Sequence, residues 1–340
     1  MAEADRTTSP VAVSERRPAT PLVSLLVPVF NEEESIDLFI QATSRVMERA
    51  GLPCEFVFVN DGSSDGTLAR LVERSRGDPR VRVVSLSRNF GKEAALTAGL
   101  DHARGDVVVP MDVDLQDPPE LIPRFLERWR EGYDVVYGVR ASRASDTTSK
   151  RMTAGWFYRL FNRLSQTRIP ENAGDFRLID RRAADVLRGL PERNRFMKGL
   201  FAWVGFRSVG VPYERAPRAA GTTKWNYWRL WNFAIDGLVS FSTVPLRVWT
   251  YVGALVALCS FLYALIIVAR VILFGIDVPG YASLMTVVLF IGGVQLLSLG
   301  VIGEYLGRLF VEVKGRPVYV VDGVYEQGKA LPVSDTAGRK

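Results

Sequence analysis

The chain has 340 residues, of which 48% are hydrophobic and 24% charged, with 43 Lys and Arg against 37 Asp and Glu, one His, and a formal net charge of +6. This composition excludes a disordered or collagen-like chain, and two cysteines exclude a disulfide framework. The basic excess is not gathered into an arm with interleaved stacking residues, so it points to a membrane surface or a phosphorylated ligand rather than to nucleic acid.

The first 21 residues, rich in Ala, Glu, Arg, Thr, Ser and Pro, carry no signal peptide and are expected to form a disordered tail whose Arg residues touch anionic lipid. From Val23 a strand reads VSLLVPVF. Asn31 then looks like an N-cap with Glu34 three residues on, opening a helix to Ala50. EFVFVN is a second strand, with Cys54 at its start, and DGSSDGT is a turn that feeds a helix to about Arg76. VRVVSLS, the helix FGKEAALTAGLDHA from Gly91 to Ala103, DVVVPMD and YDVVYGV continue the alternation, and ENAGDFRLIDRR holds a further short strand. Such Val-rich strands joined by helices predict a parallel sheet covered on both faces, with ligands beyond the carboxyl ends of the strands. His102, inside a helix, reads as a surface or packing residue.

That rule gathers Pro28, Phe30, Asn31 and Glu32 after the first strand, Asn60 and Asp61 after the second, Arg88 and Lys92 after the third, and Asp112 and Asp114 after the fourth. On an extended backbone Asp112 and Asp114 point the same way, with Gln116 next on that face, and hard oxygen ligands suit Mg2+ or Mn2+ held with substrate phosphates. A solvated acidic turn is the alternative. Asp117 reads as the N-cap of a helix running to about Arg130. Neither G-x-G-x-x-G nor G-x-x-x-x-G-K-[ST] occurs, which excludes a dinucleotide-binding dehydrogenase and a phosphate-loop enzyme.

Further on, Trp225, Trp228, Trp231 and Trp249 crowd a segment expected to lie in the head-group zone or against a neighbouring subunit, and Thr153–Ser165 mixes aromatics with arginines in a similar way. Val248–Phe274 and Tyr281–Leu299 each reach the roughly 20 residues that a bilayer crossing needs, separated only by residues 275–280. Arg247, Arg308, Lys314 and Arg316 flank this hairpin while its loop has no Lys or Arg, which places the bulk of the chain in the cytoplasm. Arg270 sits near a helix end, and Glu304 is expected to face the other helix or a lipid head group. Gly292, Gly293, Gly300 and Gly303 suit packing against other copies in a homo-oligomer.

VPVFNEEESI, VNDGSSDGT, SLSRNFGKEAALTAGL, MDVDLQDPPELI, DVVYGVR, ENAGDFRLIDRR and the terminal hairpin together resemble the polyprenyl-phosphate glycosyltransferases of glycosyltransferase family 2, over about Val23 to Tyr325. The Q-x-x-R-W motif of the related processive synthases is missing. The resemblance implies an α/β GT-A, Rossmann-like mixed sheet with helices on both faces, then an interfacial helical segment and a two-helix transmembrane hairpin. The expected divisions are 1–21 tail, 22–220 catalytic domain, 221–247 interfacial helices, 248–310 hairpin and 311–340 cytoplasmic C-terminal tail.

It also implies that Pro28, Phe30, Glu32, Val59 and Asp61 hold the nucleotide, and that Asp112, Asp114 and Gln116, with Met111, Val113 and Lys92 beside them, hold a metal and the donor diphosphate. Arg140 resembles the family's phosphate-binding arginine, with Arg143 and Lys150 following as acceptor-phosphate candidates and Arg151 beside them. Arg218 and Lys224 flank a turn expected to close over the donor. Asp175 matches the acid usually proposed as base, with orientation of Arg177 or a sugar hydroxyl as its alternative role. The implied reaction is inverting transfer of a hexose from a nucleotide-sugar, UDP-glucose or similar, to undecaprenyl, decaprenyl or dolichyl phosphate, at the cytoplasmic face of the inner membrane. GDP-mannose, UDP-GlcNAc and a UDP-aminoarabinose derivative remain alternative donors, and a silent nucleotide-sugar binding module is the alternative from another class.

Overall fold

The structure, a computed structural model, describes residues 17–140, 173–214, 242, 244–274 and 280–332. Arg143, Lys150, Arg151, Arg218, Lys224, the 153–165 segment and Trp225, Trp228 and Trp231 lie outside the described residues.

The described strands are β1 (Val23–Val29), β2 (Cys54–Asn60), β3 (Val81–Leu86), β4 (Val107–Pro110), β5 (Val135–Arg140), β6 (Ala173–Asp180), β7 (Ser208–Tyr213), β8 (Val321–Glu326) and β9 (Lys329–Leu331). They form one sheet in the order β7-β5-β6-β4-β1-β2-β3-β8-β9. The strands β4, β1, β2 and β3 run parallel, whereas β6 is antiparallel to both its neighbours and β8 is antiparallel to β3. This is the α/β mixed sheet that the resemblance implies.

Helices α1 (Ile36–Arg49), α2 (Thr67–Gly77) and α4 (Leu121–Arg130) pack on one face, where Val23, Leu25, Val27 and Val29 of β1 meet Phe39, Leu71 and Phe125. Successive strand side chains point to opposite faces, so Leu26 turns the other way. It meets α3 (Lys92–His102), α5 (Arg181–Gly189) and α6 (Met197–Trp203) through Leu96, Leu100, Ala184 and Leu200. Helix α3 is buried from Ala94 to Leu100 on every side, which its run of small residues permits: Gly99 lies against the Leu26 side chain, where a Cβ would stand 2.4 Å from Leu26 Cγ.

The structure corrects several expectations. Asn31 does not cap α1; it adopts a left-handed φ of 55° and its Oδ1 accepts from the Ser64 N–H at 2.8 Å, tying the β1 end to the β2 end, while Ser35 takes the N-cap position and Glu34 is exposed. Asp117 is not an N-cap either. It is buried and accepts from the Tyr213 hydroxyl, and α4 begins four residues later, at Leu121. Asp175 stands inside the eight-residue β6 rather than before a short strand.

Both expected tails take part in the fold over their described residues. Arg17 lies over the Trp129 ring and donates to Asp134 Oδ1 at 2.8 Å, with Asp180 the second acid beside it. Residues 321–331, expected as a tail, form β8 and β9, with Val84 opposite Val324. Tyr319 is buried on α3, and its hydroxyl donates to Asp101 Oδ2 at 2.7 Å.

Between β7 and β8 run α7 (Val244–Phe274), 31 residues, and α8 (Tyr281–Lys314), 34 residues. The second helix passes unbroken through Leu299, where the apolar run ends, to a left-handed Gly315. Among the described residues one stretch, Phe290–Lys314, is long and apolar enough to cross a membrane, and Tyr251–Tyr263 is a shorter apolar stretch. Large apolar side chains stand in the open on both helices, Tyr251, Phe261, Ile272, Leu297 and Phe310 among them. Glu304 pairs with Arg308 one turn on, at 2.8 Å. At the far end of α8, Glu312 accepts from the backbone N–H groups of Arg193 and Asn194, each at 2.9 Å, which fastens the helix to the loop before α6.

Candidate active site

The carboxyl ends of β1, β2, β3 and β4 open on one edge of the sheet, and the sequence-predicted residues gather there. Phe30, 40% exposed, follows β1, and Glu32 beyond it accepts from the Ser35 hydroxyl at 2.9 Å. Asn60 and Asp61 end β2. Asn60 bonds to Ser85 and Ser63, an internal brace. The two oxygens of Asp61 accept from the N–H groups of Phe90 and Gly91, at 2.7 and 2.9 Å, so this acid fixes the loop that launches α3. Burial pushes its carboxyl up, against the pull of those two donors. Val59, Met111 and Val113 have core side chains, so of these three only the backbone is available to a ligand.

Strand β4 ends at Pro110, and Val113 and Asp114 lie in a turn with Leu115 at φ 54°. Asp112 and Asp114 are therefore not neighbours on one face of an extended strand, as expected; a turn, closed by the Gln116 N–H donating to Asp114 Oδ1 at 3.2 Å, presents them.

The antiparallel β6 brings in the distant partner. Val108 stands opposite Ile179, a register that, counted on, sets Asp175 level with Asp112. Two carboxylates face each other there, and Lys92, from the first turn of α3, lies between them. Its Nζ donates to Asp112 Oδ1 at 2.6 Å and pairs with Asp175 Oδ2 at 3.0 Å. Lys198 of α6 reaches the other oxygen, Asp175 Oδ1, at 3.7 Å.

Burial on its own would raise the Asp175 carboxyl, but Lys198, Lys92 and Arg177 outweigh it and hold the group well below the usual carboxylate range. Desolvation likewise opposes the charge on Lys92, and Asp175 and Asp112 reverse the effect, so its ammonium is held above the ordinary lysine value. Arg177 lies over the Phe201 ring and donates to the carbonyls of Gly174 and Asp175. Arg140 is the last residue of β5.

Lys198 and Glu93 are absent from the sequence-predicted site. Glu93, next to Lys92, has its carboxyl pushed up to about 7 by burial and by the Asp175 charge. A signal for Lys198 does exist in the sequence: it is the one charge in the apolar run FMKGLFAWVGF.

The donor set at the β4 turn suits a hard divalent cation. Among the described residues no group of three or more His, Cys, Asp or Glu converges, so Asp112 and Asp114 would need oxygen ligands from elsewhere. Gln116 Oε1 is buried without a hydrogen-bond partner, and the Lys92 ammonium already marks a cation position against Asp112.

Comparison with known proteins gives two family matches, to "Glycosyl transferase family 2" over residues 24–188 and to "GtrB C-terminal hairpin" over residues 244–309. An uncharacterized glycosyltransferase of Synechocystis sp. is 52% identical over 303 residues, 89% of this chain and 95% of the relative. The SfII prophage-derived bactoprenol glucosyl transferase of Shigella flexneri is 51% identical over 299 residues, 88% of this chain and 97% of the relative. A prophage bactoprenol glucosyl transferase homolog of Escherichia coli is 49% identical over 302 residues, 89% of this chain and 99% of the relative.

Proposed function

This chain belongs to glycosyltransferase family 2, and we propose that it transfers glucose from a nucleotide-sugar, UDP-glucose before other donors, to the phosphate of a polyprenyl lipid. The names of the Shigella and Escherichia relatives, which it matches along nearly their whole length, support glucose and a bactoprenol acceptor. The observation that carries the chemistry is the bridge Asp112–Lys92–Asp175 at the carboxyl edge of the sheet, where acid and cation alternate within 3.0 Å.

Two phosphate-bearing substrates must meet there, so their mutual repulsion has to be offset. Asp112, Asp114 and Gln116 would hold Mg2+ or Mn2+, and the chemistry such a cation supplies is neutralisation of the departing diphosphate. Lys92 adds a fixed positive charge on the same side. Pro28, Phe30 and Glu32 line the β1 side of the edge, where the nucleotide is assigned, and Asp61 supports it by ordering the Phe90–Gly91 turn. Arg140, at the end of β5, is assigned to phosphate with Arg143 and Lys150, and Arg218 and Lys224 to closure over the donor.

The reaction is one displacement. A phosphate oxygen of the lipid bonds to the anomeric carbon as the bond from that carbon to the diphosphate oxygen breaks, and the nucleoside diphosphate leaves with the electron pair, so configuration inverts. An acceptor phosphate monoester has its second pKa near ~6 and is mostly dianionic at neutral pH. No base is needed. Asp175, held ionised by two lysines, is a weak proton acceptor and instead orders the cations around the reacting groups.

A membrane hairpin supports delivery of such an acceptor. Strands β7 and β8 belong to one sheet, so the chain between them leaves and returns on one side, and helices of 31 and 34 residues with exposed apolar surfaces suit two crossings. The flanking Arg and Lys residues support a catalytic domain at the cytoplasmic face.

The test is product identity. Purified protein is incubated with Mn2+ or Mg2+, undecaprenyl phosphate and a panel of UDP-glucose, UDP-GlcNAc and GDP-mannose, with mass spectrometry of the lipid. A hexose adduct from UDP-glucose is expected. An adduct only from another donor reassigns the sugar, and donor binding without any adduct leaves a silent binding module.

A further inference from the structure

We propose that Lys198 is a phosphate-binding residue for the acceptor, and that Glu93 is the positioning residue that holds it at the site. The inference rests on the transfer reaction above and assigns a second cation to it.

The two oxygens of Asp175 meet two different lysines. Oδ2 meets Lys92, which also holds Asp112 and so belongs to the side assigned to metal and diphosphate. Oδ1 meets Lys198, which comes from a different element, α6. An in-line displacement brings a second phosphate to the same centre, and the lysine on the other Asp175 oxygen, which does not also hold Asp112, is the cation we assign to it.

The state of Lys198 fits that use. Its side chain is 24% exposed, and Phe196, Met197, Gly199, Leu200 and Phe201 around it in sequence are buried. A lysine half withdrawn into such a run carries a desolvation cost that a close partner normally offsets. Its contact with Asp175 is 3.7 Å, longer than a direct hydrogen bond, and an ammonium has three donors. A phosphate oxygen arriving beside Asp175 gains a donor without breaking a tight pair.

What sets Lys198 there is a meshing of two helix starts. Glu93 Oε2 accepts from the backbone N–H of Met197 at 3.2 Å, so α3 presents Lys92 and Glu93 in sequence while α6 presents Met197 and Lys198. Each helix gives one lysine to Asp175, and the bond between their neighbours fixes the spacing of the two. The Glu93 carboxyl, half-buried and pushed up to about 7, does not add a full negative charge that would cancel the lysines near neutrality.

The test uses the full-length protein in detergent with UDP-glucose and undecaprenyl phosphate, and separates the two Michaelis constants. Lys198→Met is expected to raise the acceptor KM about tenfold or more while donor KM stays within about twofold, and Lys198→Arg to recover most of the loss. Glu93→Ala is expected to reproduce the acceptor defect, whereas Glu93→Gln, which keeps an acceptor for the Met197 N–H, stays within about threefold of wild type. UDP binding by calorimetry checks the fold of each variant, and Lys198→Gln carries the same test if Lys198→Met fails it. An unchanged acceptor KM, or a defect in donor KM instead, overturns the assignment. Absence of any lipid product from the wild type sinks the transfer reading itself, a result distinct from selective loss in the variants.

Discussion

Asp175 gives its two oxygens to two ammonium groups, and that pairing decides what it does in solution. Its depressed folded value means the ionised form is the one that the fold favours; the linked stability is present in full above the ordinary carboxylate value of about 4 and is lost as pH falls below it. Through the range where transfer is assayed, Asp175 therefore contributes no titration. The acid limb of kcat/KM should instead fall near ~6, where the acceptor phosphate takes up its second proton. Asp175→Asn is expected to lower kcat by roughly 10²- to 10³-fold, since the neutral amide no longer aligns Lys92 and Lys198, while the limb stays where it was. A pH profile whose acid limb disappears in the variant would restore the general-base role. Residue types and strand ends made Asp112, Asp114, Asp61 and Lys92 legible in the sequence. The pairing of Asp175 with Lys92 was not, because it depends on β6 inserting antiparallel beside β4, a register that no local pattern encodes.

At the scale of elements, the site is built by loops that lock on one another's backbone. Gly62, with φ +66°, follows β2 so close to the next loop that a Cβ would stand 2.3 Å from the Arg88 carbonyl carbon and 2.5 Å from Asn89 N. Both the left-handed φ and the contact with backbone, which cannot swing aside, require glycine. Gly62→Ala is expected to cost about 1–3 kcal/mol and to weaken UDP binding, because the displaced Arg88–Gly91 loop carries the N–H groups that Asp61 holds. Calorimetric titration with UDP and a thermal melt check both; unchanged binding would separate Asp61 from the nucleotide site. The same loops explain the misread helix starts. Asn31 and Asp117 are residue types that serve N-caps and tight loops equally well, and only tertiary contacts, with Ser64 and with Tyr213, decide between the two. The interiors of α1 to α4 and the first four strands read correctly from sequence, whereas α5 and α6, short helices of nine and seven residues, do not read from it at all.

For the whole molecule, the telling feature is that the chain returns to its own sheet after the helical hairpin. Without β8, strand β3 would be an edge whose six residues are all buried in the intact fold, an exposed apolar template for association. The return also completes an ion cluster at the amino ends of the strands: Arg82, only 7% exposed, donates to Glu326 at 2.5 Å and lies 4.0 Å from Glu55. Residues 311–340 read as a tail from sequence because VYVVDGVYEQGKAL is short and follows a long apolar run; its partner strand lies more than two hundred residues earlier, beyond the reach of any local signal. Truncation after Gly315 removes Tyr319 and Val324 from the core and leaves Arg82 without Glu326. Two buried side chains at about 1.5–3 kcal/mol each give a loss of ~4 kcal/mol before the ion pair is counted. For a domain of this size that lowers Tm by roughly 10 °C and favours aggregation. Substituting Glu326→Gln alone tests the smaller share: a half-buried charge is lost but the ladder stays, so a melt shifted by a few degrees at most is expected. A truncated chain that melts with the wild type would show that the hairpin's return strand is an ornament of the sheet rather than one of its walls.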